Sequence, residues 1–463
     1  MRASELNGTD YLIIGSGASG LAFADSLVKE QEDVEVTLVD TRDAPGGHWR
    51  DAYPFVRLHS PSAYYGVNSL PLGKDQIDET GENAGFYERA TGAAVRQYFD
   101  EAAAALTRTG RVRILTRHEH LGTGTEGELV RDLETGGLHE IGVRRKLVDA
   151  RYLEASIPAT HTPSFEVDPS ARVVPVNALP EVAEPGLRYT VLGSGKTAVD
   201  ACIWLVDNGV EPDRIRWVRP REAWFHRRAH FQPLDQVGGV MAGMALDAEA
   251  GAAAEDVEDL FDRLEDSGRL FRIDPSASAT MYRGTMLSPS ELDVLRLISD
   301  VVRLGRVRRI EPDRIVLEGG EISTGADVVH VDCTAAGLGD APARPVFSPK
   351  RIVIQEVRQN SPTFSAAFIG FVEARRTDDA EKNELCPPNP HASAIHDWPR
   401  MTSRTWKTEM GWTSEADVME WTAESRLNLL RALPDQAAEP SVKQEVGRFV
   451  SNVGDAIERL GRL

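Results

Sequence analysis

Residues 10–30 read "DYLIIGSGASGLAFADSLVKE": a short apolar run, then Gly15-x-Gly17-x-x-Gly20, then apolar residues at Leu21, Ala24, Leu27 and Val28. The run predicts a buried strand and the later spacing a helix. The glycines between them make a turn tight enough for backbone to approach a pyrophosphate at the helix start, where unpaired N–H groups favour negative charge. "VEVTLVD" follows as a second strand ending in Asp40, a carboxylate placed to accept hydrogen bonds from a ribose. Strand, turn, helix, strand and terminal acid together predict a Rossmann-type unit over this stretch.

The same grammar recurs at "RYTVLGSGKTAVDACIWL", with strand, Gly193-x-Gly195, the small residue Ala198 in third place, and a helix whose one face carries Ala198, Ala201, Cys202 and Leu205. Its next strand, "RIRWVR", ends at Arg219, as far after Gly193, within one residue, as Asp40 stands after Gly15. A guanidinium suits a phosphate where a carboxylate suits a hydroxyl. Arg221, Arg227 and Arg228 follow, so positive charge gathers where the 2′-phosphate of NADP would lie. Lys196-Thr197 does not make this a nucleotide-hydrolysing P-loop, because position 190, where that loop needs glycine, is Thr. The expectation is two dinucleotides. The first binds at Gly15, Ser16, Gly17, Ala18, Ser19, Gly20, Asp40 and Thr41, and the second at Gly193, Ser194, Gly195, Lys196, Thr197, Arg219 and Arg221.

A chain of 463 residues exceeds what one core usually supports, which agrees with two such units and more. Its formal charge of -20 argues against nucleic acid or an anionic membrane as partner. The first apolar run is too short for a signal-peptide core, and no run approaches a membrane span, so a cytoplasmic location is expected. Cys202, Cys333 and Cys386 form neither a Cys-x-x-Cys pair nor a zinc spacing, and read as buried thiols. His226 and His230 lack a carboxylate partner in helical register, so no metal site is assigned.

After Asp40 the chain continues "TRDAPGGHWRDAYPFVRLHSPSAYYGVNSLPLG", and later carries "SPTFSAAFIGFVEA". With the paired glycine turns, these stretches resemble the flavin-containing monooxygenases and their Baeyer–Villiger and N-hydroxylating relatives, over roughly residues 8–375. The resemblance implies FAD on the first unit and NADPH on the second. It places Gly47, His48 and Trp49 against FAD, and makes the Phe-Ile-Gly stretch a closing strand that brings Gly370 past the flavin. It also implies oxygenation of a small molecule at a soft nucleophile such as nitrogen or sulfur, through a flavin hydroperoxide, with O2 as co-substrate. Where Baeyer–Villiger relatives carry an acid near the flavin, this chain has His59, which weakens a Baeyer–Villiger assignment. The linker Phe-x-Gly-x-x-x-His is missing, and neither "LVDARYLEASIP" nor "HVDCTAAGLGD", where two linking strands should cross, has a clean Ala-Thr-Gly. His59, His48 and Ser60 are the catalytic candidates, with Ser62 beside them.

The expected architecture is α/β: two Rossmann-type dinucleotide-binding domains, the NADP domain inserted in the FAD domain, and a helical C-terminal segment. The FAD domain is expected over 1–160 and 326–395, the NAD(P) domain over 161–325, and the helical segment over 396–463. Helices are expected around Val95–Ala102 and Val257–Leu264, and from the capping box at Ser288 to Gly305, with an antiparallel meander between Arg111 and Ala150. Trp398, Trp406, Trp412 and Trp421 are expected in core packing. Two other readings stay open: an FAD/NAD(P)H reductase or dehydrogenase that uses no oxygen, and a non-catalytic flavin-binding redox sensor. Substrate identity is not legible, and a homo-oligomer is left open.

Overall fold

In the strand Thr9–Ile14 every residue is buried, because its two faces meet different layers of one sandwich. Tyr11 and Ile13 face the helices, with Phe23, Leu27, Val95, Phe99 and Phe368. Leu12 and Ile14 face a small meander, with Val130 and Ile141. Strand alternation thus explains an unbroken apolar run. The computed structural model describes residues 8–337 and 341–463, so the first seven residues of the expected FAD domain and the end of "HVDCTAAGLGD" lie outside the described residues.

The first sheet has the spatial order 347–348, 351–353, 143–149, 9–14, 36–39, 112–115 and is parallel except for its outer hairpin. Ile14 is in register with Val39 and Asp149, so three strand ends open on one edge. Helices Ala18–Glu30 and Gly92–Arg108 lie where the periodicity places them. The antiparallel meander His118–Thr123, Glu128–Asp132, Leu138–Ile141 covers the other face as expected.

The second sheet repeats the plan with the parallel order 300–302, 215–218, 188–192, 328–332, 173–175. Helix Lys196–Asp207 packs on one face through Ala198, Ala201, Cys202 and Leu205. The other face is covered by a small sheet whose Ile310, Ile315 and Leu317 meet Leu192 and Val218. The two links between the units pair where the sequence places them side by side: Ser156 and Gly337 exchange backbone hydrogen bonds of 2.8 and 3.1 Å.

Three expectations are corrected. Strand Val328–Asp332 belongs to the second sheet, so that unit runs past 325 and the first sheet resumes only at Phe347. The helix opened by the Ser288–Glu291 capping box ends at Arg296, because "DVV" at 300–302 supplies a β-branched edge strand before Gly305. The stretch read as a closing Phe-Ile-Gly strand is the helix Pro362–Arg375, and the returning strand is Arg351–Val353. Gly370 sits where this helix crosses Ala18–Glu30; a Cβ there would lie 2.6 Å from the Phe23 carbonyl oxygen. Its smallness serves this helix packing, and it is not among the residues lining the cleft beside the first glycine turn.

The C-terminal segment spans both units. Trp412 and Trp421 pack on Phe364 and Phe368 of the first, while Trp398 and Trp406 join Trp224, Phe261 and Tyr282 of the second. All four tryptophans are buried in core, as expected. The final helix Pro440–Leu460 lies along Val237–Ala253, a helix of small residues, with Leu460 seated on Gly251. The three cysteines are free and buried. Among the described residues no helix is long and apolar enough to cross a membrane.

Candidate functional site

Both glycine turns end in a helix whose first residue has no side-chain cap: Gly17 and Gly195 occupy the cap positions without a capping hydrogen bond. The first N–H groups of each helix are therefore left for a ligand. In the first turn the glycines are required sterically. Gly15 has φ +104°, and a Cβ on Gly20 would stand 2.1 Å from the Gly15 carbonyl oxygen. The Gly46-Gly47 segment folds back on this turn, where Gly46 N–H donates to the Ser16 carbonyl at 2.9 Å. A Cβ on Gly47 would come within 2.9 Å of Gly17 Cα.

The cleft beside this turn, about 1140 Å3 including its open mouth, is lined by Gly15, Gly17, Ala18, Ser19, Asp40, Thr41, Gly47 and His48 of the expected set. Ser16, Gly20 and Trp49 are buried and not among the residues lining it. Asp40 accepts from Ser16 N at 2.7 Å, Ser16 Oγ at 3.0 Å and Arg42 N at 3.0 Å, which fixes the carboxylate at the strand tip. Trp49 Nε1 donates to Tyr65 Oη at 2.7 Å, and its ring stacks against His48. Burial, then the nearby Arg42, pushes His48 down to about 4, so the imidazole is neutral at pH 7. The cleft, its uncapped helix start and the acid at the strand tip fit FAD.

Sequence reasoning missed much of the wall: Arg42, Tyr65, His118, His120, Arg151 and Glu356 also line the cleft. They follow the C-terminal ends of parallel strands, or come from the segment after Trp49; strand ends are where ligands of open α/β sheets sit, so that rule was the usable signal. Glu356 is 2% exposed, and burial pushes its carboxyl up to about 8, against a hydrogen bond from Asn360 N. With the folded value above the ordinary one, stability is full below about pH 4.5 and is lost as pH rises through 8. Glu356→Gln is expected to melt higher than the parent above pH 5, with the gap widening toward pH 8 in a thermal melt series.

His59 and Ser60 are not among the residues lining this cleft. His59 lies against the second unit, its carbonyl accepting from Arg228 Nη1 at 2.8 Å, while its Nδ1 is buried without a partner. Burial, with Lys196, Arg228 and Arg89 nearby, pushes its imidazole down to about 3. Ser62 is structural: its Oγ accepts from Ala90 N at 2.8 Å. The segment continues the domain contact through Tyr53 Oη, which donates to Asp200 at 2.6 Å, and Tyr64 Oη, which donates to the Phe231 carbonyl at 3.3 Å.

In the second cradle Gly193 has φ +127°, and the Trp217 Nε1–H donates to its carbonyl at 2.8 Å, pinning the turn. A Cβ on Gly195 would meet nothing within 4 Å, so backbone there faces open space a phosphate can enter. Lys196, on the first turn of the helix, pairs with Asp200, and Thr197 is half-buried beside it. Arg219 is 3% exposed, lies 4.8 Å from the Trp217 ring centre and leaves Nη1 without a partner. Arg221 N approaches Ser194 Oγ at 3.5 Å. An uncapped helix start and an orphaned guanidinium nitrogen fit a phosphorylated dinucleotide. Arg227 and Arg228 leave this group, contrary to the expectation that they surround the 2′-phosphate. Arg227 donates to the Gly268 carbonyl at 3.0 Å, and Arg228 is fully buried on Glu291 at 2.5 Å. His226 is also buried, its Nε2 2.6 Å from Tyr282 Oη.

Two Rossmann units joined by paired links, with the cleft on the first, form a fold with two dinucleotide-binding domains. An NAD(P)-binding Rossmann-like domain model matches residues 13–69. An oxidized steroid monooxygenase bound to NADP shares the fold, with a TM-score of 0.53 at 14% identity, covering 98% of this chain and 97% of that one. The FAD-dependent monooxygenase resA of Aspergillus sclerotiorum is 26% identical over 219 residues, 45% of this chain and 36% of its own length. The chain belongs to the family of the uncharacterized protein Rv2000 of Mycobacterium tuberculosis, to which it is 42% identical over 459 residues, 98% of this chain and 84% of the relative.

Proposed function

We propose that the protein is an FAD- and NADPH-dependent monooxygenase of a small molecule, placing one oxygen of O2 on nitrogen or sulfur in the cytoplasm. The observation that carries this reading is the pair of uncapped helix starts, one tipped by a carboxylate at a cleft and the other by a guanidinium that keeps Nη1 without a partner. The names of the fungal relatives and the shared fold support it. The preference for nitrogen or sulfur rests on His59 standing where Baeyer–Villiger relatives carry an acid.

When bound, FAD would supply the redox chemistry between NADPH, O2 and substrate. The chain's own contribution is binding and exclusion of water. Gly15, Gly17 and the N–H groups of the first helix hold the pyrophosphate, and Asp40 faces the ribose. His48, neutral beside the cleft, offers a hydrogen-bond partner without adding charge. Lys196 neutralises phosphate on the second helix start once released from Asp200.

The test is NADPH added to FAD-loaded protein without air, followed by air and isotopically labelled O2 with candidate amines and sulfides. Bleaching of the visible flavin band that depends on NADPH, and label in a product, are expected. Bleaching with no oxygen demand points to the reductase, and no bleaching at all to a redox sensor. Lys196→Met is expected to weaken NADPH binding about tenfold, roughly 1.4 kcal/mol, with flavin content unchanged, read by titration calorimetry.

A further inference from the structure

Arg219 does not stand alone at its strand tip. Its backbone N–H donates to the Val302 carbonyl at 2.9 Å, which brings Arg303, the residue after the neighbouring strand, alongside it. Between them lies Glu222, 7% exposed. Its Oε1 is 2.6 Å from Arg303 Nε and 3.3 Å from Arg219 Nε. Arg303 Nη2 also reaches Asp274 at 2.6 Å.

The first unit shows what this corner does. There the residues after the second strand, Asp40, Thr41 and Arg42, and those after the third, His118 and His120, line the cleft together. The two units share strand order and turn, so Arg219, Arg221 and Arg303 flank the equivalent corner of the second cradle. Glu222 there sets a carboxylate on Arg303 Nε and beside Arg219 Nε, leaving Arg219 Nη1 unpaired.

We propose that Glu222 is an internal stand-in for the 2′-phosphate: it holds Arg219 and Arg303 in place, competes with the phosphate for them, and so limits the preference for NADPH over NADH. This rests on the second cradle being a pyridine-nucleotide site. Two arginines and two carboxylates cancel, so an arriving phosphate gains the charge of Arg221 and whatever it wins by displacing Glu222. Arg219, held against Trp217, keeps Nη1 unpaired but buried, so that nitrogen is reached only once Glu222 gives way. Arg303, 37% exposed, can swing.

The experiment titrates full-length protein with 2′,5′-ADP and with 5′-AMP, which differ only in the 2′-phosphate. Glu222→Gln is expected to tighten 2′,5′-ADP about tenfold with 5′-AMP unchanged, and Arg303→Met to weaken 2′,5′-ADP about tenfold. An unchanged ratio in either variant overturns the proposal. Thermal melting and flavin content check that Glu222→Gln folds. Should it not, the partly exposed Arg303→Met decides alone. If the parent protein binds neither probe nor NADPH, the cradle assignment itself fails, which is a different result from binding that ignores Glu222 and Arg303.

Discussion

Gly20→Ala is expected to yield protein without flavin, because the new Cβ would stand 2.1 Å from the Gly15 carbonyl oxygen. No side-chain rotation relieves a backbone clash, so the helix Ala18–Glu30 must move off the strand Thr9–Ile14. That displaces the N–H groups of its first turn and opens a core in which Leu21, Phe23, Ala24 and Leu27 are fully buried. Overpacking of this kind costs about 3 kcal/mol. Gly47→Ala, with φ +59° and a Cβ 2.9 Å from Gly17 Cα, is expected to lose flavin with a smaller loss of stability, because it lifts the one-turn segment Gly47–Arg50 and not a core helix. Gly411→Ala, where a Cβ would meet nothing within 4 Å and which is not among the residues lining the cleft, is the control and should stay yellow. The flavin-to-protein absorbance ratio after purification and a urea titration read both effects. A flavin-loaded Gly20→Ala protein would show that the first cradle does not depend on the close approach of Gly20 to Gly15.

What could be read from the sequence was local. Glycine turns, the acid after Val39, the arginine after Val218 and the capping box at Ser288 are each set by a few neighbouring residues whose constraints travel with them. The helix Pro362–Arg375 was misread because it is buried all round, from Thr363 to Glu373, and a segment with no polar face has no period to distinguish helix from strand. The helix before Gly305 was overextended because a three-residue edge strand at 300–302 has too few residues to announce itself.

The site divided in the same way. Residues of the two turns were legible because their roles depend on backbone. His118, His120, Arg151 and Glu356 were not, because they reach the cleft only through the order of strands in the sheet. Arg228 was misassigned for a related reason. A run of arginines reads as solvent-facing charge or a phosphate site, and nothing near it announces that its partner, Glu291, lies 63 residues further on.

That pair carries the second large expectation. Glu291 Oε2 is 2.5 Å from Arg228 Nη2, and its Oε1 is 3.6 Å from Arg89 Nη1, with all three side chains at most 2% exposed. Glu291→Ala strips the buried Arg228 of its carboxylate, leaves Arg89 with Glu82 as its acid, and removes the acceptor for Ser288 N at 2.6 Å, at a cost of about 3–5 kcal/mol. Glu291→Gln keeps an acceptor for both and should lose less. Burial opposes ionisation of Glu291, but Arg228, Lys196 and Arg89 outweigh it and hold the carboxyl down to about 2. Since the folded value lies below the ordinary 4.5, the advantage of the parent over Glu291→Gln is complete above about pH 4.5. It shrinks as pH falls through 2, and urea midpoints measured at several pH values read it directly. A difference that does not change with pH would mean the carboxylate charge contributes nothing. Arg89 and His59 belong to the first unit, Arg228 and Glu291 to the second, so the same charges set how the second cradle faces the first. Glu291→Gln should therefore slow NADPH-dependent flavin reduction more than it weakens the binding of either cofactor, because the distance between the two sites changes while each cradle stays intact.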